Sequence, residues 1–269
     1  MLITIPLLTS IIFASIYPLC FWISWKDPLK NDFHKFHIGL PNFIGGVGVV
    51  GLIFMDVPVF LKINAVIWKI FFLSVSRYYW KKGTVNPFVI TIPCVIGSFI
   101  FSLLLMQLVM KPLMPTISSH FLSFSSIILG GILGGFVFCL SLYTMNLGHW
   151  YLNVHGLPIS HIRRAVYVFW FFLIVRALWD LYMVFGSRVF FQGEGISMTR
   201  FLGSMDGFFL NIAFFFGTLF PIVALWFVKG TLDVKSTQSA TGILYVILSA
   251  VLIGDITYKY YLIQYGLGL

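Results

Sequence analysis

Two pairs of opposite charges stand four residues apart inside stretches that are otherwise apolar. Arg176 and Asp180 lie in FFLIVRALWDLYM, and Asp255 and Lys259 lie in IGDITYKYYLIQYG. Residues i and i+4 share a helix face, so each pair is placed to neutralise itself. The chemistry open to such groups is proton transfer and hydrogen bonding to a polar ligand head, and the structural alternative is a helix-locking ion pair. His149 closes another apolar run beside Trp150 and Tyr151. Imidazole is the side chain best suited to passing protons around neutral pH, which makes His149 the preferred functional histidine and Tyr151 its neighbour in a polar lining.

What must position these groups is set by composition. Of the 269 residues, 59% are hydrophobic and 9% charged, with a mean hydropathy of +0.99. A chain so apolar is a polytopic membrane protein, an all-α transmembrane bundle read as a single integral membrane domain over 1–269. A span needs about 20 apolar residues, and eight segments qualify: 2–24, 39–61, 63–80, 87–110, 122–148, 163–187, 206–228 and 241–264. The third carries Lys62, Lys69 and Arg77, and its alternative is an amphipathic helix lying at the interface.

The basic residues decide between these. Odd connectors hold Lys26, Lys30, Lys35, Arg77, Lys81, Lys82, Arg163, Arg164, Lys229 and Lys235, against Lys62, Lys111, Arg188 and Arg200 in even ones. Cytoplasmic loops accumulate positive charge, and the alternation survives only if segment three spans. Eight helices with both termini outside follow. The net charge of +9 is therefore a matter of topology, not of nucleic-acid binding. The apolar N-terminus lacks the positive n-region of a secretory signal and reads as the first span.

Other groups carry weaker signals. The connector GHWYLNVHGLPISHIRR puts His149, His155 and His161 six apart, on different faces of any helix, with Gly156 and Pro158 breaking it. That is no preformed metal site. Bis-histidine haem ligation needs imidazoles on facing helices, and His34 and His37 read as part of a charged loop, with His120 on the opposite side, so haem b is the minor alternative. Asp56, before Val57-Pro58, reads as an interfacial carboxylate, with a proton-path role as the alternative. Pro221 should kink helix seven, Ser239 or Thr241 should cap helix eight, and the 188–205 connector, with Glu194 and Arg200, reads as an external lid or partner contact.

The string GGVGVVG contains GxGxxG at Gly46, Gly48 and Gly51, yet no strand precedes it. Close helix packing is the better reading, as it is for Gly130 with Gly134 and Gly131 with Gly135. Cys20, Cys94 and Cys139 lie singly in apolar spans and support neither a disulfide framework nor a metal site. No Walker loop, HExxH pair, GxSxG elbow or long repeat emerges.

Eight helices with minimal loops, ending in Gly254-Asp255 and Lys259-Tyr260-Tyr261, resemble the membrane-anchor subunits of respiratory oxidoreductases of the polysulfide-reductase and dimethylsulfoxide-reductase type. The resemblance covers the overall plan and the last helix. It implies a quinone bound between helices, protons relayed by intramembrane groups, and partner redox subunits carrying the electrons. The expectation is an integral subunit of a respiratory complex in the lipid bilayer, with the bacterial inner membrane as its default location. His149, Tyr151, Arg176, Asp180, Asp255 and Lys259 are its quinone and proton-path candidates. A proton-coupled secondary transporter is the alternative, since glycine-rich helices and intramembrane ion pairs suit a midplane site. An intramembrane enzyme using His149 or Asp255 has least support, because no nucleophile, base and oxyanion donors assemble from the sequence.

Overall fold

Proline and glycine set most of the boundaries between helices. The computed structural model describes residues 3–25, 29, 33–113, 121–154 and 156–269; Lys26, Lys30, His120 and His155 lie outside them. Helix α1 (Thr4–Ile16) passes into a 3₁₀ stretch, Tyr17–Ser24, with Pro18 in its first turn, where the missing proline N–H is tolerated. Helix α2 runs Phe33–Ile53 and α3 Val59–Lys82. The break therefore falls at Asp56-Val57-Pro58, before Lys62, because Pro58 takes an extended conformation as the N-cap of α3. Lys62 is drawn into α3 and its ammonium donates to the Ile53 carbonyl at 2.9 Å, satisfying the end of α2. Gly83, at φ 76°, ends α3 in the left-handed conformation. Helix α4 (Pro87–Leu105), capped by Asn86, continues through a π-helical turn, Met106–Met110, into the short α5 (Lys111–Leu113).

Beyond these come α6 (Phe121–Asn153), α7 (Ser160–Gly186), a β-hairpin of β1 (Arg188–Phe191) and β2 (Glu194–Ser197), and α8 (Met198–Leu202). The hairpin turns on Gln192 and Gly193, both at positive φ, as a two-residue hairpin loop demands. It gives the 188–205 connector a defined structure that the all-helical reading lacked. Helix α9 (Met205–Phe214), a π-helical turn (Phe215–Leu219) and α10 (Phe220–Asp233) make one continuous span, and α11 (Thr237–Tyr265) is the last. Because α11 starts at Thr237, Ser239 and Thr241 are inside it and do not cap it; Ser236 holds the N-cap position.

Among the described residues, eight helices are long and apolar enough to cross a membrane, Val59–Lys82 among them. The chain divides into two compact units, Met1–Pro112 and Leu113–Leu269. In the amino-terminal unit α1 packs on α2 and α4, and α3 packs on the same two, giving a ring of four. Gly45 and Gly48 face α1 so closely that a Cβ would lie 2.6 Å from that of Ala14 and 2.9 Å from that of Ser10. Gly46 and Gly51 meet only ordinary contacts, with Lys69 at 3.7 Å and Leu7 at 3.5 Å. Trp68 fills the space that a side chain at Gly97 would take, and its indole donates to the Pro93 carbonyl at 2.7 Å.

In the carboxy-terminal unit, α6 packs on α7 and α11, and α10 packs on the same two. This leaves α7 and α11 across the ring from each other. After Gly266, at φ 66°, the last residues fold back against α6, where Gly268 meets Gly130 and Ser126 and accepts the Trp179 indole N–H at 2.7 Å.

Candidate functional site

The two charged pairs expected from spacing form as intrahelical ion pairs. On α7, Arg176 Nε lies 2.9 Å from Asp180 Oδ1. On α11, Lys259 Nζ pairs with Asp255 Oδ2. All four residues are buried, at 2–7% exposure, so none of them reaches the lipid face. Their placement across the ring turns two local pairs into one cluster. Tyr258 of α11 donates its hydroxyl to Asp180 Oδ2 at 2.8 Å, while the Arg176 guanidinium lies over the Tyr258 ring, 4.0 Å from its centroid.

Two further helices complete the site. Thr218, in the π-helical turn, donates to Asp180 Oδ2 at 2.9 Å and lies 3.1 Å from the Tyr258 hydroxyl. The π turn has a cause in the sequence: Pro221 brings no N–H to the carbonyl of Gly217, and the ladder widens there. Gly217 and Gly254 then let the backbones of this turn and α11 touch, since a Cβ on Gly254 would collide with Gly217. Tyr258 stands one turn beyond that contact. From α6, the Gly130 carbonyl accepts from Arg176 Nη1 at 3.2 Å. A Cβ on Gly134 would lie 3.2 Å from Arg176 Nη1 and 3.8 Å from Asp255 Oδ1. Gly134 is therefore a seat for the cluster, and Gly130 packs against the folded-back end of the chain. Gly131 is half-buried and Gly135 buried on the same helix.

With all four groups ionised, two cations balance two anions. A buried charge in hydrocarbon is tolerated only when paired in this way. Asp180, Thr218 and Tyr258 form a continuous hydrogen-bonded chain across three spans, a geometry in which a hydroxyl proton and a carboxylate oxygen are already in contact. Arg176 Nη2 has no hydrogen-bond partner among the described residues. It is enclosed within the bundle, with the guanidinium stacked on the Tyr258 ring.

His149 and Tyr151 stand apart from this cluster. His149 is exposed near the end of α6, with Nδ1 3.1 Å from the Tyr245 hydroxyl, and about 22 Å along the helix from Gly134 at about 1.5 Å per residue. Tyr151 is buried and its hydroxyl donates to the Pro158 carbonyl, which pins the α6–α7 connector. Arg163, in the first turn of α7, pairs with Asp233 at 3.1 Å and fixes the end of α10.

The amino-terminal unit buries polar groups of its own. His34 and His37 are buried within α2, not in a charged loop, because the helix begins at Phe33. His37 Nδ1 lies 2.8 Å from the Tyr17 hydroxyl. The two share one helix, not the facing helices that bis-imidazole haem ligation requires. Lys69 turns inward, 9% exposed, onto the backbone and side-chain oxygens of Asn42, whose amide reaches Ser76 Oγ at 2.6 Å. Among the described residues no group of three His, Cys, Asp or Glu side chains converges as metal ligands would.

Fold and composition together define a multi-pass helical membrane protein with a charge-balanced polar cluster inside one four-helix unit. Comparison with protein families, curated proteins and solved structures finds no match to this chain.

Proposed function

We propose that the chain is an integral membrane subunit of an electron-transfer complex, in which the cluster of Arg176, Asp180, Thr218, Asp255, Tyr258 and Lys259 handles a quinone head and its protons. The observation that supports this most is the junction at Asp180. A carboxylate, a phenol and a threonine hydroxyl from three spans meet there beside a buried guanidinium with a donor to spare. Such groups suit a site that accepts a ligand carbonyl and passes protons within one network. Loops too short for a catalytic domain leave the redox centres to partner subunits. On this reading the protein resides in a bacterial inner membrane with both termini outside.

The test is purification of the native protein in mild detergent, with mass spectrometry of co-purifying chains, quinone extraction and an absorbance spectrum. Iron–sulfur, molybdenum or cytochrome chains together with stoichiometric quinone are expected. A haem band belonging to this chain would move the function to its histidines. A colourless, quinone-free protein purified alone would refute the proposal.

One observation favours a second reading. The π-helical turn Phe215–Leu219 interrupts a span where Thr218 enters the cluster, and interrupted helices build the midplane sites of proton-coupled transporters. Proton-dependent solute uptake into proteoliposomes, abolished by Asp180→Asn, would establish that reading in place of the first.

A further inference from the structure

The polar cluster sits close to one end of its unit. Asp180 is six residues from the end of α7 at Gly186, and Lys259 is six from the end of α11 at Tyr265. About 9 Å of helix therefore separates each from that end. In the other direction α7 runs back twenty residues to Ser160, about 30 Å. The near end is where β1, β2 and α8 lie, between α7 and α9. The short route from the cluster to water leads past these three elements.

That route is filled by an apolar layer. Met183 lies three residues beyond Asp180 on α7, Tyr261 two beyond Lys259 on α11, and Leu210 and Ala213 precede Thr218 on α9; all are buried in one hydrophobic cluster. Val189 of β1 and Met198 and Phe201 of α8 close the cluster from above. Phe201 packs on the rings of Tyr261 and Tyr265, with centroids 6.1 and 5.0 Å away. Leu267 and Leu269, from the segment folded back on α6, join the same layer. The Tyr261 hydroxyl is engaged with the Asp206 carbonyl. Tyr258 belongs to the layer through its ring and to the polar cluster through its hydroxyl, so the two are in direct contact. A dry apolar constriction of this kind stops water and ions without any charged gatepost.

The elements that close the layer are small. Strands β1 and β2 have four residues each and α8 has five. A lone two-stranded hairpin is marginally stable at best, and a single helical turn is not stable by itself. They are seated by Val189, Met198 and Phe201, and by a backbone bond from the Met198 N–H to the Ser187 carbonyl at 3.2 Å. Units of this size open locally while packed spans stay closed. We propose that β1, β2 and α8 form a gate over the polar cluster. Seated, they seal the Asp180 junction from the nearer face; lifted, they withdraw Met198 and Phe201 from the layer and admit water to Thr218 and Asp180. The gate serves a quinone site and a transport site alike, so its test does not depend on that choice.

The test uses the full-length chain in nanodiscs and reads two rates by mass spectrometry. The first is amide hydrogen exchange, where residues 188–202 are expected to exchange together and faster than the spans α7 and α11. The second is modification of a thiol placed inside the gate by Thr218→Cys, or by Ala213→Cys should the first variant fail to fold, with a membrane-impermeant methanethiosulfonate. That thiol should react slowly behind the native gate. Phe201→Ala, or Val189→Ala in its place, should raise both rates by the same factor, at least about tenfold, while Cys139, buried in α6, stays unreactive. A thiol rate that does not move as the exchange of 188–202 rises would put the access route elsewhere and overturn the gate. Exchange of 188–202 no faster than that of the spans would overturn it as well. Modification of Cys139 in step with the introduced thiol would show that the whole bundle opens, and would also refute the proposal.

Discussion

Asp180→Asn is the substitution that best separates the parts of the cluster. In the native chain Oδ1 faces Arg176 Nε and Oδ2 accepts from both Thr218 and Tyr258. An asparagine can keep its oxygen toward Arg176 and turn its NH₂ toward the two hydroxyls, which rotate to accept. The hydrogen bonds therefore survive and the charge does not. Arg176, 2% exposed, loses the anion on its own helix, and stripping one partner from a buried pair costs about 3–5 kcal/mol. For a chain of this size that corresponds to a melting point lower by about 6–20 °C. Thermal unfolding of the purified protein in detergent, followed by circular dichroism, reads the shift directly. Arg176→Met with Asp180→Leu removes both charges and should return most of the loss, since apolar replacement of an entire buried pair is often neutral. A single variant that melts within about 1 °C of wild type would refute the reasoning. It would mean that Asp255, and not Asp180, neutralises Arg176.

Three further outcomes follow from the packing and can be read by the same melting assay. Tyr258→Phe keeps the ring over Arg176 but removes the hydroxyl from Asp180, at a cost of about 1–3 kcal/mol; no loss would mean that the hydroxyl contact is unimportant. Gly254→Ala drives a Cβ into the backbone of Gly217 and should destabilise by about 1–3 kcal/mol, whereas Gly51→Ala, meeting only Leu7 at 3.5 Å, should be tolerated. Lys69→Met removes a buried cation that has no carboxylate partner among the described residues. It should change stability by no more than about 1 kcal/mol in either direction, and a loss of several times that would show the ammonium to be structural.

The charged pairs were legible because i, i+4 spacing is a local property of one helix, and both formed as expected. Their meeting was not legible. It depends on α7 and α11 lying across a ring of four, and on Tyr258 and Thr218, which in sequence look like any tyrosine or threonine in a span. Pro221 signalled a disturbance in helix seven, but not that the ladder would widen and turn Thr218 inward. The histidines misled in the other direction. The charges around KNDFHKFH suggested a loop, whereas helix α2 starts at Phe33 and buries both imidazoles. His149 drew notice for its place beside Trp150 and Tyr151, yet α6 carries it past the cluster to an exposed end. The glycine strings pointed correctly to close packing in general. Which glycines serve it, Gly45 and Gly48 and not Gly46 and Gly51, depends on the rotation of α2 against α1, which spacing alone does not encode.

The balance of two cations and two anions has an electrical consequence. A membrane potential exerts no net force on a neutral group of charges, so the ionised cluster, displaced as a unit, carries no net charge through the field. Adding one proton to either carboxylate changes that, because the group then carries one elementary charge, worth about 2.3 kcal/mol per 100 mV across the full membrane. Only the fraction of the field between the cluster and the nearer surface acts on a proton arriving from that side. Any process that loads the cluster with a proton should therefore quicken or slow with membrane voltage, and the steepness would report the electrical depth of Asp180 and Asp255.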